Sequence, residues 1–231
     1  MKKVAGFIGG VAWPSTVEYY RIYNEETNRR LGGINTAEAM VYSVNLPEFL
    51  QLAMEGRVEE LTDRFEVVAK KLQAAGAGLI EICSNTMHVV YDELEKRLDV
   101  PMIHIIDATA ERAKEMGITR LGLLGTTVTM GTDVYKSRLM EKYGIETVVP
   151  DEEYWEEIFR VIEEELTFNV TKESSLQYYL KAIENLRAKG AQGVILGCTE
   201  IPLLVHQKDT DLPVFDTTEL HAKAAAKWAV E

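Results

Sequence analysis

At 231 residues, 46% of them hydrophobic, the chain is long enough for one large domain or for two lobes of about 100 residues each. A formal net charge of -12, with no Lys/Arg cluster interrupting it, repels polyphosphate and anionic membranes, which excludes nucleic acid and membrane as partners and favours a small ligand. Two cysteines are too few for a disulfide framework and suit a reducing, cytoplasmic location with both thiols free.

The chain opens on MKKVAGFIGGVAW, which imitates a signal peptide but carries Gly9-Gly10 and runs into Pro14-Ser15-Thr16, so it reads as a strand turning into a helix. No apolar run reaches the roughly 18 residues of a membrane span. Short aliphatic runs, VAGFIG, AMVYSV, GLIEIC and PMIHII, alternate with longer periodic ones, STVEYYRIYNEETNRRL and RVEELTDRFEVVAKKLQAAG. In the latter, Val58, Leu61, Phe65, Val68 and Leu72 recur at helical spacing before Gly76, which suits the residue just past a helix end.

After about residue 115 the same order returns, with RLGLLG, ETVVP, GVILGC and LPVFD as strands between further helical segments. Three stretches match across the halves: VAGFIGG with RLGLLGT, LQAAGAGLIEICSNT with LRAKGAQGVILGCTE, and DVPMIH with DLPVFD. The expected fold is therefore α/β, a duplication of two pseudo-symmetric lobes over residues 1–114 and 115–231. Each lobe is a parallel sheet of about four strands flanked by helices, with an active-site cleft between them.

In open α/β sheets, ligands bind beyond the carboxyl ends of the strands, and the interesting residues lie there. Gly10 follows the first strand, and Ser15 with Glu18 has the spacing of a capping box, leaving helix amides for an anion. Gly125-Thr126-Thr127-Val128-Thr129 holds the matching place in the second half. The stretch IEICSNT leaves open whether Cys83 or Ser84 matches Cys198 of VILGCTEIP. Keeping the doublets Gly76-Ala77 and Gly190-Ala191 in register pairs Ser84 with Cys198 and gives four identities over fifteen residues, against three when Cys83 is paired instead. Successive strand residues face opposite ways, so Cys83 and Ser84 cannot share one role. A thiol titrates near neutrality more readily than a serine hydroxyl, and each pKa unit moved costs about 1.4 kcal/mol.

SNTMH, GCTEIPLL, IGGVAWPSTVEYYR, LLGTTVTM and PVFDTTELHA together resemble the aspartate/glutamate racemase superfamily over essentially the whole chain. The resemblance implies a two-lobed fold whose C-terminal segment, about 210–231, packs back on the first lobe. It also implies a homodimer and racemisation of an amino acid without pyridoxal phosphate or any other cofactor. The family's usual motifs are Cys-Asn-Thr and Gly-Cys-Thr. Laid on this chain they make Cys198 the strong base as a thiolate and put Ser84 in place of the first cysteine, with Cys83 an inert neighbour. The same pattern implies that Asn85, Thr86, Thr126 and Thr199 bind the α-carboxylate, with Gly10 and Ser15 beside them. Glu200 is placed at a helix start, either orienting Cys198 or in a solvated or capping role, and Trp13 is a candidate lid over the cleft.

Plainer roles stand beside these: Ser84 as a helix N-cap ahead of MHVVYDELEKRL, Trp13 as a packed aromatic, and His88, His104 and His221 as hydrogen-bonded helpers. No metal site is expected, because the histidines and cysteines lack ligand spacing. Aspartate-specific relatives carry an arginine after the second strand and a lysine in the second half. Here those regions read SVNLPEFLQL and IEEELTFNVT, leaving Arg57, Lys136 or a helix N-terminus to compensate. Three competing functions follow: a broad-specificity racemase, a single-cysteine decarboxylase of substituted malonates, and a non-catalytic amino-acid binder.

Overall fold

The computed structural model describes residues 3–231, which divide into two compact units. The first runs to Ile105 and includes Thr218–Glu231; the second is Ile106–Thr217. The first unit contains β1 (Ala5–Gly9), α1 (Trp13–Leu31), β2 (Ala39–Ser43), α2 (Leu46–Met54), α3 (Val58–Ala74), β3 (Leu79–Ile82) and α4 (Tyr91–Glu95). Its sheet has the order β2-β1-β3, all parallel. The chain continues through α5 (Ile105–Glu115), β4 (Arg120–Leu124), α6 (Thr127–Gly131), α7 (Val134–Tyr143) and β5 (Glu146–Val148). It then forms α8 (Trp155–Glu164), α9 (Glu173–Ala188), β6 (Val194–Leu196), β7 (Val214–Asp216) and α10 (Thr217–Val230). The second sheet has the order β5-β4-β6-β7, again parallel throughout. Helix α5, placed by the sequence at the end of the first lobe, groups with the second unit apart from its first residue.

Parallel strands need crossover helices, and the periodic segments supply them. Helix α3 buries Leu61, Phe65, Val68, Ala69 and Leu72 against β1 and β3, and Phe65 meets Phe49 of α2 edge-on with centroids 4.9 Å apart. Burial of a side chain the size of Phe65 stabilises the unit by about 1.5–3 kcal/mol. The helix stops as its sequence predicts. Gly76 takes φ 109°, its N–H bonds the Gln73 carbonyl, and the Ala77 N–H bonds the Leu72 carbonyl, which satisfies two otherwise orphaned acceptors. In the second unit, α8 and α9 bury Ile158, Val161, Ile162, Tyr179, Ile183 and Leu186 in the same manner.

Two local expectations change, and a third run takes a form that the sequence left open. Helix α1 begins at Trp13 with Ala12 as its N-cap and Pro14 in the first turn, so Ser15 lies inside the helix and forms no capping box; Glu18 instead receives hydrogen bonds from Arg21. The run SVNLPEFLQL contains the start of α2, because Pro47 suits a first helical turn. PMIHII does not become a full fourth strand: it touches β3 only through the bridge Ile80↔Met102 before turning into α5. Main-chain groups that a ladder would use are taken by side chains. Tyr91 Oη lies 2.9 Å from the Met102 carbonyl oxygen, His221 Nε2 lies 2.8 Å from that of Ile103, and the Ile105 N–H donates to His88 Nε2.

Residues on β3 alternate between two cores. Ile80 and Ile82 face α3, whereas Leu79, Glu81 and Cys83 face α1 and the alanines Ala222, Ala225 and Ala226 of α10. Glu81 is fully buried in that second core, and neither of its oxygens has a hydrogen-bond partner. His221 Nε2 stands 3.4 Å away, but that nitrogen also faces the Ile103 carbonyl and its Nδ1 faces Tyr19 Oη at 2.8 Å, so a neutral ring is already satisfied. Burial pushes the Glu81 carboxyl well up, which favours its protonated form in the folded protein. Because the unfolded chain loses that proton at lower pH, stability falls as pH rises above the unfolded carboxyl value. Glu81→Gln removes this loss. The variant is expected to be more stable than wild type at pH 8 by about 1.4 kcal/mol for each unit by which folding raises the carboxyl, with the gap closing near pH 4. Urea unfolding at the two pH values measures it, and a variant less stable at pH 8 would mean that Glu81 is ionised against His221.

Candidate active site

The register of the central strands assigns matching places in the two units. In the first, β1 and β3 pair Gly6 with Ile80 and Ile8 with Ile82; in the second, β4 and β6 pair Gly122 with Val194 and Leu124 with Leu196. Two residues beyond the last pair stand Gly10 and Ser84 in one unit and Thr126 and Cys198 in the other. Ser84, not Cys83, therefore holds the topological position of Cys198. Cys83 is 1% exposed, packed with Phe7 and Tyr19, and burial pushes its thiol well up, so it is not poised for chemistry.

In the second unit, Cys198 is half-buried at the carboxyl end of β6. Its thiol donates to Glu200 Oε2 at 2.9 Å, and the Thr199 hydroxyl donates to the same oxygen at 3.1 Å. Glu200 is buried and precedes a short 3₁₀ turn, Ile201–Leu203. Burial, the Glu200 charge and the bond to Glu200 all push the Cys198 thiol up, against an opposing pull from the backbone N–H groups of Glu200 and Thr199. The residue expected to orient Cys198 thus also supplies a negative charge beside it, which disfavours the thiolate. Thr126 caps α6, its hydroxyl accepting from the Thr129 N–H at 3.1 Å. Gly197 permits the close approach of β4 and β6, since a Cβ there would stand 2.9 Å from the Leu124 carbonyl oxygen.

Two aromatic residues belong to this neighbourhood and carry no motif. Tyr135 of α7 and Tyr179 of α9 are buried, and both phenols are pushed up by burial and then by the charge Cys198 would carry. Their only sequence signal is helical periodicity, which marks them as core.

In the first unit, Ser84 is half-buried and its hydroxyl has no hydrogen-bond partner among the described residues. It is not an N-cap: the following 3₁₀ turn, Thr86–Val90, is preceded by Asn85, without a side-chain cap. Asn85 is buried and Thr86 exposed. Gly10 takes φ 81°, and a Cβ there would fall 2.3 Å from the Val44 carbonyl oxygen. Its N–H is not free for an anion, because it donates to Thr16 Oγ1 at 2.9 Å. Ser15 is buried, and Trp13 is 71% exposed at the first helical position, not packed into the core. No cluster of three or more His, Cys, Asp or Glu suited to a metal occurs among the described residues, and no described helix is long and apolar enough to cross a membrane.

The Glu200 charge beside the thiol makes a measurable difference. Glu200→Gln removes both the charge and the anionic acceptor, so the Cys198 thiol is expected to titrate lower. A drop of one unit gives roughly tenfold faster alkylation by iodoacetamide at pH 7. The pH profile of alkylation in a Cys83→Ala background reads it, and an unchanged or higher midpoint would remove Glu200 as the perturbing group.

Known proteins resemble this chain in sequence and fold. The Asp/Glu/hydantoin racemase family model matches residues 8–225. A Yersinia pestis crystal structure described as being of the Asp/Glu racemase type is 44% identical, with a TM-score of 0.94 over 99% of this chain and 100% of that one. That of an aspartate racemase homologue from Pyrococcus horikoshii OT3 is 39% identical, with a TM-score of 0.86 and full coverage of both chains. A broad-specificity amino-acid racemase of Bacillus subtilis is 22% identical over 95% of each chain. With the family model matching residues 8–225 and the structural likeness covering 99% of the chain, the chain belongs to the Asp/Glu/hydantoin racemase family.

Proposed function

We propose that the protein is a cofactor-independent racemase of aspartate or glutamate, with Cys198 and Ser84 as its two proton-transferring groups. The observation that carries this reading is the half-buried Cys198 thiol bonded to the Glu200 carboxylate at 2.9 Å, at the strand end that corresponds to Ser84. Racemisation removes the α-proton from one face and returns a proton to the other through a planar carbanion, so it needs two such groups and donors for the developing enolate. Glu200 can accept the thiol proton, and the thiolate then takes the α-proton. A bound substrate ammonium beside the sulfur would favour that transfer by stabilising the thiolate. Ser84 is the weaker partner and acts directly or through a held water. Asn85, Thr86, Thr126 and Thr199 supply polar groups for the α-carboxylate; Gly10 and Ser15 shape the turn and helix start beside them, and Trp13 is the cover.

An acidic side chain needs a cation. Arg57 is occupied by Glu55 and Glu60, at 2.7 and 2.5 Å, whereas Lys136 of α7, half-buried, has no ion pair among the described residues. Lys136 is therefore the candidate for a side-chain carboxylate. The absence of a cation from SVNLPEFLQL and IEEELTFNVT supports broader amino-acid specificity as the second reading. The protein is proposed to act in the cytoplasm as a homodimer.

Proton NMR in deuterium oxide, with a chiral assay of the product, tests the reading on both enantiomers of aspartate and glutamate. The α-proton signal is expected to disappear with inversion, at least about a hundredfold more slowly in Cys198→Ala and faster in Ser84→Cys. Exchange on no common amino acid would reject the racemase, and carbon dioxide release from a substituted malonate would replace it with the decarboxylase.

A further inference from the structure

We infer that His88 is the positioning residue for Ser84: one imidazole, held in a single tautomer between two main-chain groups, fixes the peptide on which the Ser84 hydroxyl is carried. The inference rests on the reading of Ser84 as a proton-transferring group.

Direction decides the tautomer. A backbone N–H can only donate, so the Ile105 N–H, 3.2 Å from His88 Nε2, requires a lone pair on that nitrogen. The ring proton then sits on Nδ1, which donates to the Ser84 carbonyl oxygen at 2.6 Å. The ring is buried and hemmed in by other rings: Tyr91 is stacked at 5.9 Å and 12°, with His104 at 4.7 Å and His221 at 5.4 Å between centroids. Tyr91 and His221 are themselves tied to the main chain at Met102 and Ile103, so the imidazole stands in a rigid frame.

For Ser84 the consequence is specific. The register of β3 with β1 ends at Ile82, and the last bond to β1 is the Cys83 N–H donating to the Ile8 carbonyl at 3.0 Å, one residue before Ser84. The Ser84 N–H turns back to the Ile82 carbonyl at 2.8 Å, and its C=O is taken by His88. With both peptide groups of Ser84 held, Cα and Cβ have one place and only χ1 remains to the hydroxyl. Misplacement of a reacting group by about 1 Å can cost a hundredfold in rate, so a support of this kind matters to Ser84 far more than to Cys198. The corresponding residue of the second unit, Pro202, has no such ring; there the Cys198 carbonyl accepts from the Ile201 N–H at 3.1 Å and the thiol itself is held by Glu200.

Asparagine places an amide near the position of Nδ1 and glutamine near that of Nε2, so the two substitutions separate the two bonds. Exchange and inversion are measured separately on each enantiomer of aspartate and glutamate in deuterium oxide for wild type, Ser84→Ala, His88→Asn and His88→Gln. His88→Gln is expected to follow Ser84→Ala: inversion falls at least about tenfold, while exchange with retention from the enantiomer served by Cys198 stays within about threefold. His88→Asn is expected to keep inversion within about threefold of wild type. Parallel loss of exchange and inversion, or an Asn variant as slow as the Gln variant, would reduce His88 to a structural residue. Inversion unaffected by Ser84→Ala would remove the reading of Ser84 and this role with it. Ring nitrogen-15 spectra of the wild-type protein decide the geometry independently of turnover: a protonated Nδ1 with a bare Nε2 at pH 7 supports the proposal, and an Nε2–H tautomer or a doubly protonated ring overturns it. A wild type without α-proton exchange would sink the racemase reading and leave that spectrum to decide the placement of His88.

Discussion

The parallel pairing of each sheet's central strand with its crossover neighbour is the constraint on which the rest depends. Because Ile8 is opposite Ile82 and Leu124 is opposite Leu196, the residues two positions on are carried to the same place in each unit: Gly10 beside Ser84 and Thr126 beside Cys198. A slip of one residue on β3 would exchange the two sides of the strand, put Glu81 and Cys83 where Ile80 and Ile82 pack against α3, and bury Ser84. Register is held against that slip by apolar surface on both faces. This is why a short strand of four residues can specify the position of Ser84 without any bond to its hydroxyl.

The two units solve the problem of holding a polar group at a strand end in different ways. In the second, a ladder of four strands runs to β7, and Cys198 is held by its own side chain through Glu200. In the first, the segment corresponding to β7 has only one bridge to its neighbour, and Tyr91, His88 and His221 bond the main chain of residues 102–105 in place of a strand. The polar core so created brings an isolated carboxyl with it. Burial favours the protonated form of Glu81, which avoids the larger cost of an unpaired buried charge.

Much of the architecture was legible in the sequence, and for physical reasons. Period-2 and period-3.6 patterns identify β1, β4, α3 and α9, and the matching Gly-Ala doublets identify a duplication, because the apolar positions they align are those the structure buries. Gly76 could be recognised as a helix stop because few other residues adopt positive φ. Composition argued against nucleic acid as a partner because charge is additive along the chain. The motifs SNT and GCTE located Ser84 and Cys198, and the shared doublets favoured Ser84 over Cys83.

What only the tertiary structure decided is what depends on groups distant in sequence meeting in space. The spacing of Ser15 and Glu18 suggested a capping box, but Pro14 lets the helix start earlier and Arg21 claims the carboxylate. PMIHII has the composition of a strand and fails to become one because side chains from residues 88, 91 and 221 compete for its main chain. Glu200 could be named from the motif, whereas its bond to the thiol, and the protonated state that bond favours, follow from a distance of 2.9 Å. Tyr135 and Tyr179 resemble ordinary core residues until the fold brings them beside Cys198. The sequence by itself determined which residues could face one another, since periodicity and backbone preference are local. The tertiary structure decided which donors and acceptors actually met, since a hydrogen bond forms only where both partners arrive.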